Sequence, residues 1–222
     1  MLHPIEHALA SRSAVGCLLL LAGFATCPSA HSKDPAGGAT VAEISSSLAG
    51  RYDNSAQVQL GKTSGQTPPP QHVTITIEPT PQQDWQIWRV HMDVDSEIAQ
   101  LAGSDTSLDA IWAMNLSRSA PHKMLELIPY TLTPAVDLAS VKASEFDPKQ
   151  WLSLDACALG GQFAVSRIVA AAPADEMCVA ATMGLGGKRA FLPTSVEREG
   201  QWLHVQLMYF GKPWRVDAQR SS

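Results

Sequence analysis

Apolar and polar residues alternate along most of the chain after residue 50, and this alternation constrains the fold more than any other feature. In segment 72–78, Val73, Ile75 and Ile77 fall on one face of an extended chain, and two threonines fall on the other. A period of two is typical of strands with one buried face. The predicted strands are 51–59, 72–78, 86–95, 109–117, 123–132, 162–169, 177–183, 189–197, 202–209 and 214–218.

The segments between these strands favour hairpins. Residues typical of turns lie at 184–187, 198–200 and 211–213, and strands do not alternate with long helices as they do in parallel sheets. A sheet of about ten strands tends to curl and close, which removes its exposed edges. The sequence therefore predicts an all-β fold, an antiparallel closed barrel with room inside for a small ligand.

Two short helices are predicted beside the strands. Thr40 and Glu43 have the spacing of a capping box, which indicates an N-terminal helix that stops at Gly50. Asp147 followed by Pro148 is a typical helix start, so an internal helix is predicted over 148–152. The barrel domain is expected to span residues 40–220.

Composition indicates a globular domain and excludes some partners. Hydrophobic residues make up 45% of the chain and charged residues 17%, which is enough apolar material for a sizeable core. The net charge of −5 provides no basic face for nucleic acid, and it argues against charge-driven binding to an anionic membrane.

The N-terminus is predicted to be an export signal. An apolar run over 14–25 follows Arg12; it is too short to span a bilayer and has the length of a signal-peptide core. The signal is expected to cover 1–27, and a flexible linker rich in Pro, Gly and Ser covers 28–39. Cys27 is a lipidation candidate, and plain cleavage after Cys27 or Ser29 is the alternative. We expect an exported protein, periplasmic or lipid-anchored in a bacterial envelope.

Two cysteines remain in the mature domain. Cys157 and Cys178 flank a stretch that we interpret as a β-hairpin with arms 162–169 and 177–183. An exported protein with two cysteines is expected to pair them, and unpaired buried thiols are the alternative. A closed loop of about 20 residues stabilises the fold by roughly 3 kcal/mol on the chain-entropy model.

Several motifs resemble those of the CpcT/CpeT chromophore-lyase-like family. The stretch 48–57 reads LAGRYDNSAQ, with a glycine, an aromatic residue two positions later, an asparagine two after that and a glutamine three further on. Cys157, Cys178 and a Gly-x-Pro-aromatic element at 211–214 follow in the order typical of the family, and Arg220 is the closing basic residue.

The resemblance implies a calyx-like (lipocalin-like) barrel that holds a hydrophobic ligand, often an open-chain tetrapyrrole. Members of the family attach a bilin to a protein cysteine. The chain departs from the lyase pattern at 109–115, where the Tyr-Arg element is missing, and at 95–97, where an upstream acidic motif is not clearly reproduced. We therefore expect binding of a small apolar or tetrapyrrole-like ligand. A bilin lyase and a structural envelope lipoprotein with a filled barrel are the alternatives.

Seven residues are ligand-binding candidates, each with a structural alternative. Tyr52, Asn54 and Gln57, near the start of the barrel, can face the ligand. Alternatively, Asn54 holds a bulge and Tyr52 covers the end of the barrel. Trp88 and Trp112 can stack on a flat ligand or fill the core. Arg89 and His91 share a strand face with Asp93 and Asp95, which suits ligand carboxylates, a metal or a solvated surface, and the solvated surface is favoured. The candidates are Tyr52, Asn54, Gln57, Trp88, Arg89, His91 and Trp112.

No catalytic residue and no metal ligand is predicted. Nucleophile-elbow, zinc-protease, P-loop and CxxC motifs are all missing, and Ser166 and His204 have no evident acidic partner. The expected partner is a small hydrophobic ligand, with a bilin-like molecule as the one cofactor suggested. Nucleic acid is not expected, a membrane is expected only through an N-terminal lipid, and a homodimer is left open.

Overall fold

The computed structural model describes residues 39–93, 107–118, 124–173, 176–182, 191–209 and 212–221, within one compact unit that spans Gly38–Ser222. The predicted signal peptide 1–27, the lipidation candidate Cys27 and nearly all of the predicted linker lie outside the described residues. So do Asp95 and the predicted turn at 184–187.

The strands form a closed antiparallel barrel. Ten strands pair in the order β4-β3-β2-β1-β11-β10-β9-β8-β7-β5, and pairing of β4 with β5 closes the ring, while β6 pairs with β5 outside it. The predicted all-β, calyx-like fold is thus confirmed. The strands are β1 (Gly50–Asp53), β2 (Val73–Pro79), β3 (Trp85–Asp93), β4 (Ser107–Arg118), β5 (Leu125–Leu132), β6 (Trp151–Ser153), β7 (Leu159–Phe163), β8 (Arg167–Ala171), β9 (Pro193–Glu199), β10 (Trp202–Tyr209) and β11 (Lys212–Arg220).

Alternation along the strands places one apolar set inside the barrel. Trp88 of β3 lies directly opposite Trp112 of β4, and both are almost fully buried. Tyr52 and Ile75 form the equivalent inward pair on β1 and β2. The same core continues through β9, β10 and β11. Dense packing of large side chains inside the ring provides the main stabilisation of the fold.

Helix α1 (Val41–Leu48) packs against the barrel core. Its capping box forms as predicted, since the Thr40 hydroxyl accepts from the Glu43 N–H and the Glu43 carboxylate accepts from the Thr40 N–H. Ile44 and Leu48 are fully buried in the barrel core. The carbonyl of Ser45 accepts a hydrogen bond of 2.5 Å from the buried Gln86 side chain, which ties the helix to β3.

A second apolar cluster lies outside the ring. Short 3-10 turns between β5 and β6 cover the outward side chains of Ile87 and Ile111, and Phe146 contacts both Trp85 and Trp151. The internal helix predicted over 148–152 is only a 3-10 turn, Pro148–Gln150. The chain continues from it directly into β6, whose pairing with β5 takes the place of further helical bonds.

The first predicted strand, 51–59, is wrong beyond Asp53, because helix α2 (Ser55–Thr63) follows β1 after one residue. An Asp53 carboxylate oxygen accepts from the Ser55 N–H and fixes the turn into the helix. Within α2 only Gly61 is buried. The alternation of Val58 and Leu60 therefore does not come from a strand with one buried face. In the described ranges, no helix has the length and apolar character needed to cross a membrane.

The predicted β-hairpin between the cysteines is also wrong. Segment 162–169 is not one strand but the end of β7, a turn and the start of β8. Segment 177–183 is helical over its described part, as helix α3 (Glu176–Thr182), with Met177 and Val179 exposed. The disulfide itself is confirmed: Cys157 and Cys178 are bonded, and they fasten α3 to the 3-10 turn Asp155–Cys157.

Loss of this disulfide should destabilise the fold. We expect the double variant Cys157→Ala/Cys178→Ala to lose about 3 kcal/mol of unfolding free energy, because the unfolded chain regains the freedom of the closed loop. Urea titration of the oxidised protein measures the loss, and mass spectrometry of non-reduced peptides should join Cys157 to Cys178. Reductant should destabilise the wild type and leave the double variant unchanged. Equal stability of the two oxidised proteins would contradict the expectation.

Candidate functional site

The three aromatic candidates lie in the barrel core. Trp88 and Tyr52 are 0% exposed and Trp112 is 1% exposed, so little or no water-sized space adjoins their rings. Trp88 Nε1 donates to the Gln86 side chain (3.0 Å), and the Tyr52 hydroxyl donates to the carbonyl of Leu48 (2.8 Å). These contacts tie the wall of the barrel to α1. A ligand beside these rings would have to displace core side chains.

Asn54 and Gln57 connect α2 to the barrel. The buried Asn54 amide donates to the carbonyl of Gln71 (2.9 Å) and accepts from the N–H of Val73 (2.7 Å), which completes the edge of β2. Its amide also donates to Gln57 Oε1 (2.9 Å). Gln57 then donates to the carbonyl of Arg215 on β11 (3.1 Å). Asn54 is therefore occupied by backbone groups, whereas Gln57 reaches an outer surface.

Arg89 and His91 line a cavity outside the barrel. It measures about 380 Å³ and lies between the outer face of β3–β4 and the 3-10 turn Leu138–Ser140. Arg89 donates to Glu78 (2.8 Å) and to the carbonyl of Val141 (2.6 Å), so its guanidinium holds the loop against the wall. The two candidates are thus separated from Tyr52, Trp88 and Trp112 by the wall itself.

A row of alternating acids and histidines crosses four strands on the outside of the barrel. We call it the outer ladder: Asp53, His72, Asp93, His91 and Asp109. His72 contacts Asp53 through Nε2 (2.7 Å) and Asp93 through Nδ1 (2.8 Å). His91 contacts Asp93 (3.3 Å) and Asp109 (2.8 Å). The ladder includes three carboxylates, yet no group of His, Cys, Asp and Glu in the described part of the chain has the arrangement of a metal site.

The outer ladder favours the protonated form of His72. The hydrogen bond between His72 and Asp93 raises the pKa of His72, burial opposes the rise, and the contact with Asp53 adds to it. The hydrogen bond from His72 likewise lowers the pKa of Asp93. Burial raises the pKa of Asp53, but hydrogen bonds from Ser55 and His72 outweigh burial, so its pKa is lowered. Charged partners on both sides of the ring stabilise the imidazolium form.

Ser55, His72 and Asp93 are placed in the order of a catalytic triad, yet they cannot work as one in this geometry. Ser55 Oγ is 3.3 Å from His72 Nε2, and Asp93 holds Nδ1. A triad histidine must accept the serine proton at Nε2. Here Nε2 is 2.7 Å from Asp53, which requires a proton on that nitrogen. The cluster is therefore a structural ion network rather than a nucleophile and its base.

A second outer cavity lies between α2 and strands β10 and β11. We call it the Trp202 cleft; it measures about 400 Å³ and is lined by Ala56, Gln57, Leu60, Trp202, His204 and Asp217. Trp202 is 40% exposed and Leu60 is 69% exposed, so apolar surface faces solvent here. The Trp202 ring lies parallel to the His204 imidazole, with centroids 6.1 Å apart.

The floor of the Trp202 cleft is polar and rigid. Asp217 accepts from His204 Nδ1 (2.5 Å) and from Arg215 Nε (2.7 Å). Burial raises the pKa of Asp217, but these hydrogen bonds and the charges of Arg215 and His204 outweigh it, so the pKa is lowered. The carboxylate stays ionised and holds the imidazole that stacks on Trp202. Gln57 links this floor to α2, with its Oε1 accepting from the N–H of Asp217 (3.3 Å).

No family model, curated protein or solved structure matches this chain. The resemblance to the CpcT/CpeT family therefore stays a prediction. Of the seven candidates, Gln57 lines the Trp202 cleft, Arg89 and His91 line the other outer cavity, and the remaining four are buried. Sequence reasoning missed Trp202 and Asp217. The alternation of β10 could have indicated them, since Leu203 and Val205 point inward and Trp202 and His204 must then point outward.

The two core tryptophans should respond differently to the same substitution. Trp88→Phe leaves the Gln86 acceptor without its donor, whereas Trp112 Nε1 is buried and has no hydrogen-bond partner among the described groups. We expect Trp88→Phe to lose about 1–3 kcal/mol more unfolding free energy than Trp112→Phe, the cost of an unsatisfied buried polar group. Urea denaturation followed by far-ultraviolet circular dichroism measures both. Equal losses would contradict this assignment.

The outer ladder should make stability depend on pH. Because the folded-state pKa of His72 is raised, its stabilisation is complete below about 6.5, the ordinary histidine value, and is lost as the pH rises through the folded pKa. We expect the urea midpoint of the wild type to fall as the pH rises above about 6.5. His72→Gln should flatten this fall, and Asp93→Asn should shift it to lower pH. An unchanged profile in His72→Gln would contradict the expectation.

Proposed function

We propose that this chain is an exported, non-enzymatic binding protein whose ligand binds in the Trp202 cleft rather than inside the barrel. The ligand class is a small, flat, apolar or tetrapyrrole-like molecule. The observation that carries the proposal is the exposed Trp202 ring, held parallel to His204 over a cavity of about 400 Å³. A partly exposed indole beside a cavity is a stacking surface for a planar ligand.

The composition of the cleft supports this ligand class. Small-molecule sites of about 300–1,000 Å³ typically combine apolar walls with a few fixed polar groups. Leu60 and Trp202 supply the apolar wall, and Gln57 and His204 supply the polar groups. Asp217 is already bonded to Arg215 and His204, so its charge is largely compensated. A planar apolar ring system therefore suits the cleft better than a small ion.

The disulfide supports the exported location. Cys157 and Cys178 are bonded, and disulfides persist mainly in oxidising compartments such as the bacterial periplasm. The predicted signal at 1–27 and the lipidation candidate Cys27 belong to the same proposal. A lipid on Cys27 would place the barrel at a membrane surface through its linker.

A structural envelope protein without a ligand is the second candidate function. The observation that favours it is the packed interior, where Tyr52, Trp88 and Trp112 are almost fully buried. In that case the barrel is only a stable scaffold. Bilin attachment remains an untested prediction that requires transfer of a bilin to an acceptor cysteine.

Ligand titration separates these functions. Biliverdin, an open-chain tetrapyrrole, and palmitate are titrated calorimetrically into the wild type and into Trp202→Ala. We expect biliverdin to bind the wild type and to bind Trp202→Ala about tenfold more weakly, because stacking and apolar contact on the indole are worth about 1.4 kcal/mol. Trp202 is 40% exposed and lies outside the barrel core, so the variant should fold normally.

Two controls define the location of binding. Leu152→Ala removes another exposed apolar side chain (51% exposed), outside the cleft, and should leave the affinity unchanged. Trp112→Phe alters the barrel interior and should also leave it unchanged. Loss of affinity in Trp112→Phe but not in Trp202→Ala would move the site into the barrel and contradict the proposal. No heat of binding with either probe would favour the ligand-free scaffold.

A further inference from the structure

One arginine lies inside the barrel without a counter-charge. Arg198 of β9 points inward beside Val196 and is 9% exposed. Its Nη1 donates to the carbonyl of Val165 in the turn between β7 and β8. Its Nε is buried and has no hydrogen-bond partner among the groups that the structure describes. A buried guanidinium that lacks full satisfaction is costly, so an unpaired donor of this kind calls for a physical explanation.

A second arginine approaches from β11, which β10 separates from β9. Arg220, the last residue of β11, lies opposite Tyr52 of β1 and donates to the carbonyl of Ala49. A Cβ added at Gly50 would lie 2.6 Å from Arg220 Nε, and the φ angle of Gly50 is +151°. Glycine therefore leaves the space that the guanidinium occupies. Arg220 is half-buried, which connects the barrel end to solvent.

Tyr52 lies beside both guanidinium groups. The carbon of the Arg220 guanidinium is 6.0 Å from the centre of the Tyr52 ring. Burial raises the pKa of Tyr52, and the positive charges of Arg220 and Arg198, with a hydrogen bond from Arg198, oppose the rise without cancelling it. The hydroxyl thus stays protonated at neutral pH and leaves both positive charges uncompensated.

Carboxylates do not balance this pair. Arg89, Arg167 and Arg215 each pair with an acid, whereas within the described ranges Arg198 and Arg220 pair with none. Backbone carbonyls of Val165 and Ala49 accept one bond from each guanidinium, but they carry no net charge. Two cations at one end of a barrel, with one buried N–H unpaired, are incomplete without an anion.

We propose that Arg198 and Arg220 form a binding site for a small oxyanion at this end of the barrel, taking the carboxylate or phosphate group of a ligand. Guanidinium groups bind both oxyanions through paired N–H donors. The anion approaches from the half-buried side of Arg220, and the free Nε–H of Arg198 is the donor that it satisfies. The site does not depend on the Trp202 cleft.

Thermal melting of the full chain tests the site. Sodium phosphate or sodium octanoate replaces sodium chloride at constant ionic strength, so that general salt effects are matched. We expect one or both to raise the Tm of the wild type by about 5–10 °C at roughly 100 times Kd. A rise with phosphate alone identifies a phosphate site, and a rise with octanoate alone identifies a carboxylate site.

Variants assign the rise to the arginine pair. Arg198→Met should melt at or above the wild type in chloride, because it removes an uncompensated buried charge, and should show no rise with either anion. Arg167→Met, which removes an exposed arginine paired with Glu197, is the matched control and should rise like the wild type. Arg220→Met is the second test should Arg198→Met not fold. A wild type that does not respond, or an equal rise in both Arg198→Met and Arg220→Met, would overturn the proposal.

Discussion

The pairing of β4 with β5 is the interaction on which the rest of the structure depends. It closes ten strands into a ring and so gives every strand an inner and an outer face. Once the ring is closed, the inward side chains can pack only in the core. Trp88 and Trp112 meet across β3 and β4, and the polar side chain of Gln86, which lies between them and α1, is hydrogen-bonded at both ends. Such a core stabilises the barrel by burial and leaves little room for a ligand beside the two tryptophans.

The alternation predicted the strands wherever one face is buried and the other is solvated. β2, β3 and β10 follow the predicted segments within a few residues, since most of their inward positions are apolar and most of their outward positions are polar. The antiparallel order then followed from the short turns. The predicted capping box of α1 was also correct, because it depends only on Thr40 and Glu43, which are neighbours in the sequence.

The errors share a physical cause, which is that little of the segment is buried. Leu60 in α2 and Met177 in α3 are both about 70% exposed, so their spacing carries no information about a core. Long-range bonds decide the local structure there instead. Gln57 holds α2 against Asp217, 160 residues away, and the disulfide holds α3 against a turn 21 residues earlier. A sequence pattern read over a short window cannot contain such contacts.

The candidate sites show the same limit and one exception. Gln57 was a candidate, but Trp202, His204 and Asp217 in the same cleft come from β10 and β11, which the pairing of β1 with β11 brings beside α2. Arg198 is different, because its position was available in the sequence. The charge of Arg198 and the nearby Gly200 indicated a turn at 198–200. However, Val196 and Arg198 are two positions apart, so they lie on the same face of an extended strand, and Val196 is apolar. In a closed barrel, the register of the strand decides whether a side chain points inward, even when the side chain is charged. The side chain of residue 198 can turn outward only if the whole strand shifts by one position. Strand β9 therefore keeps its register and buries the cation of Arg198, which is only 9% exposed.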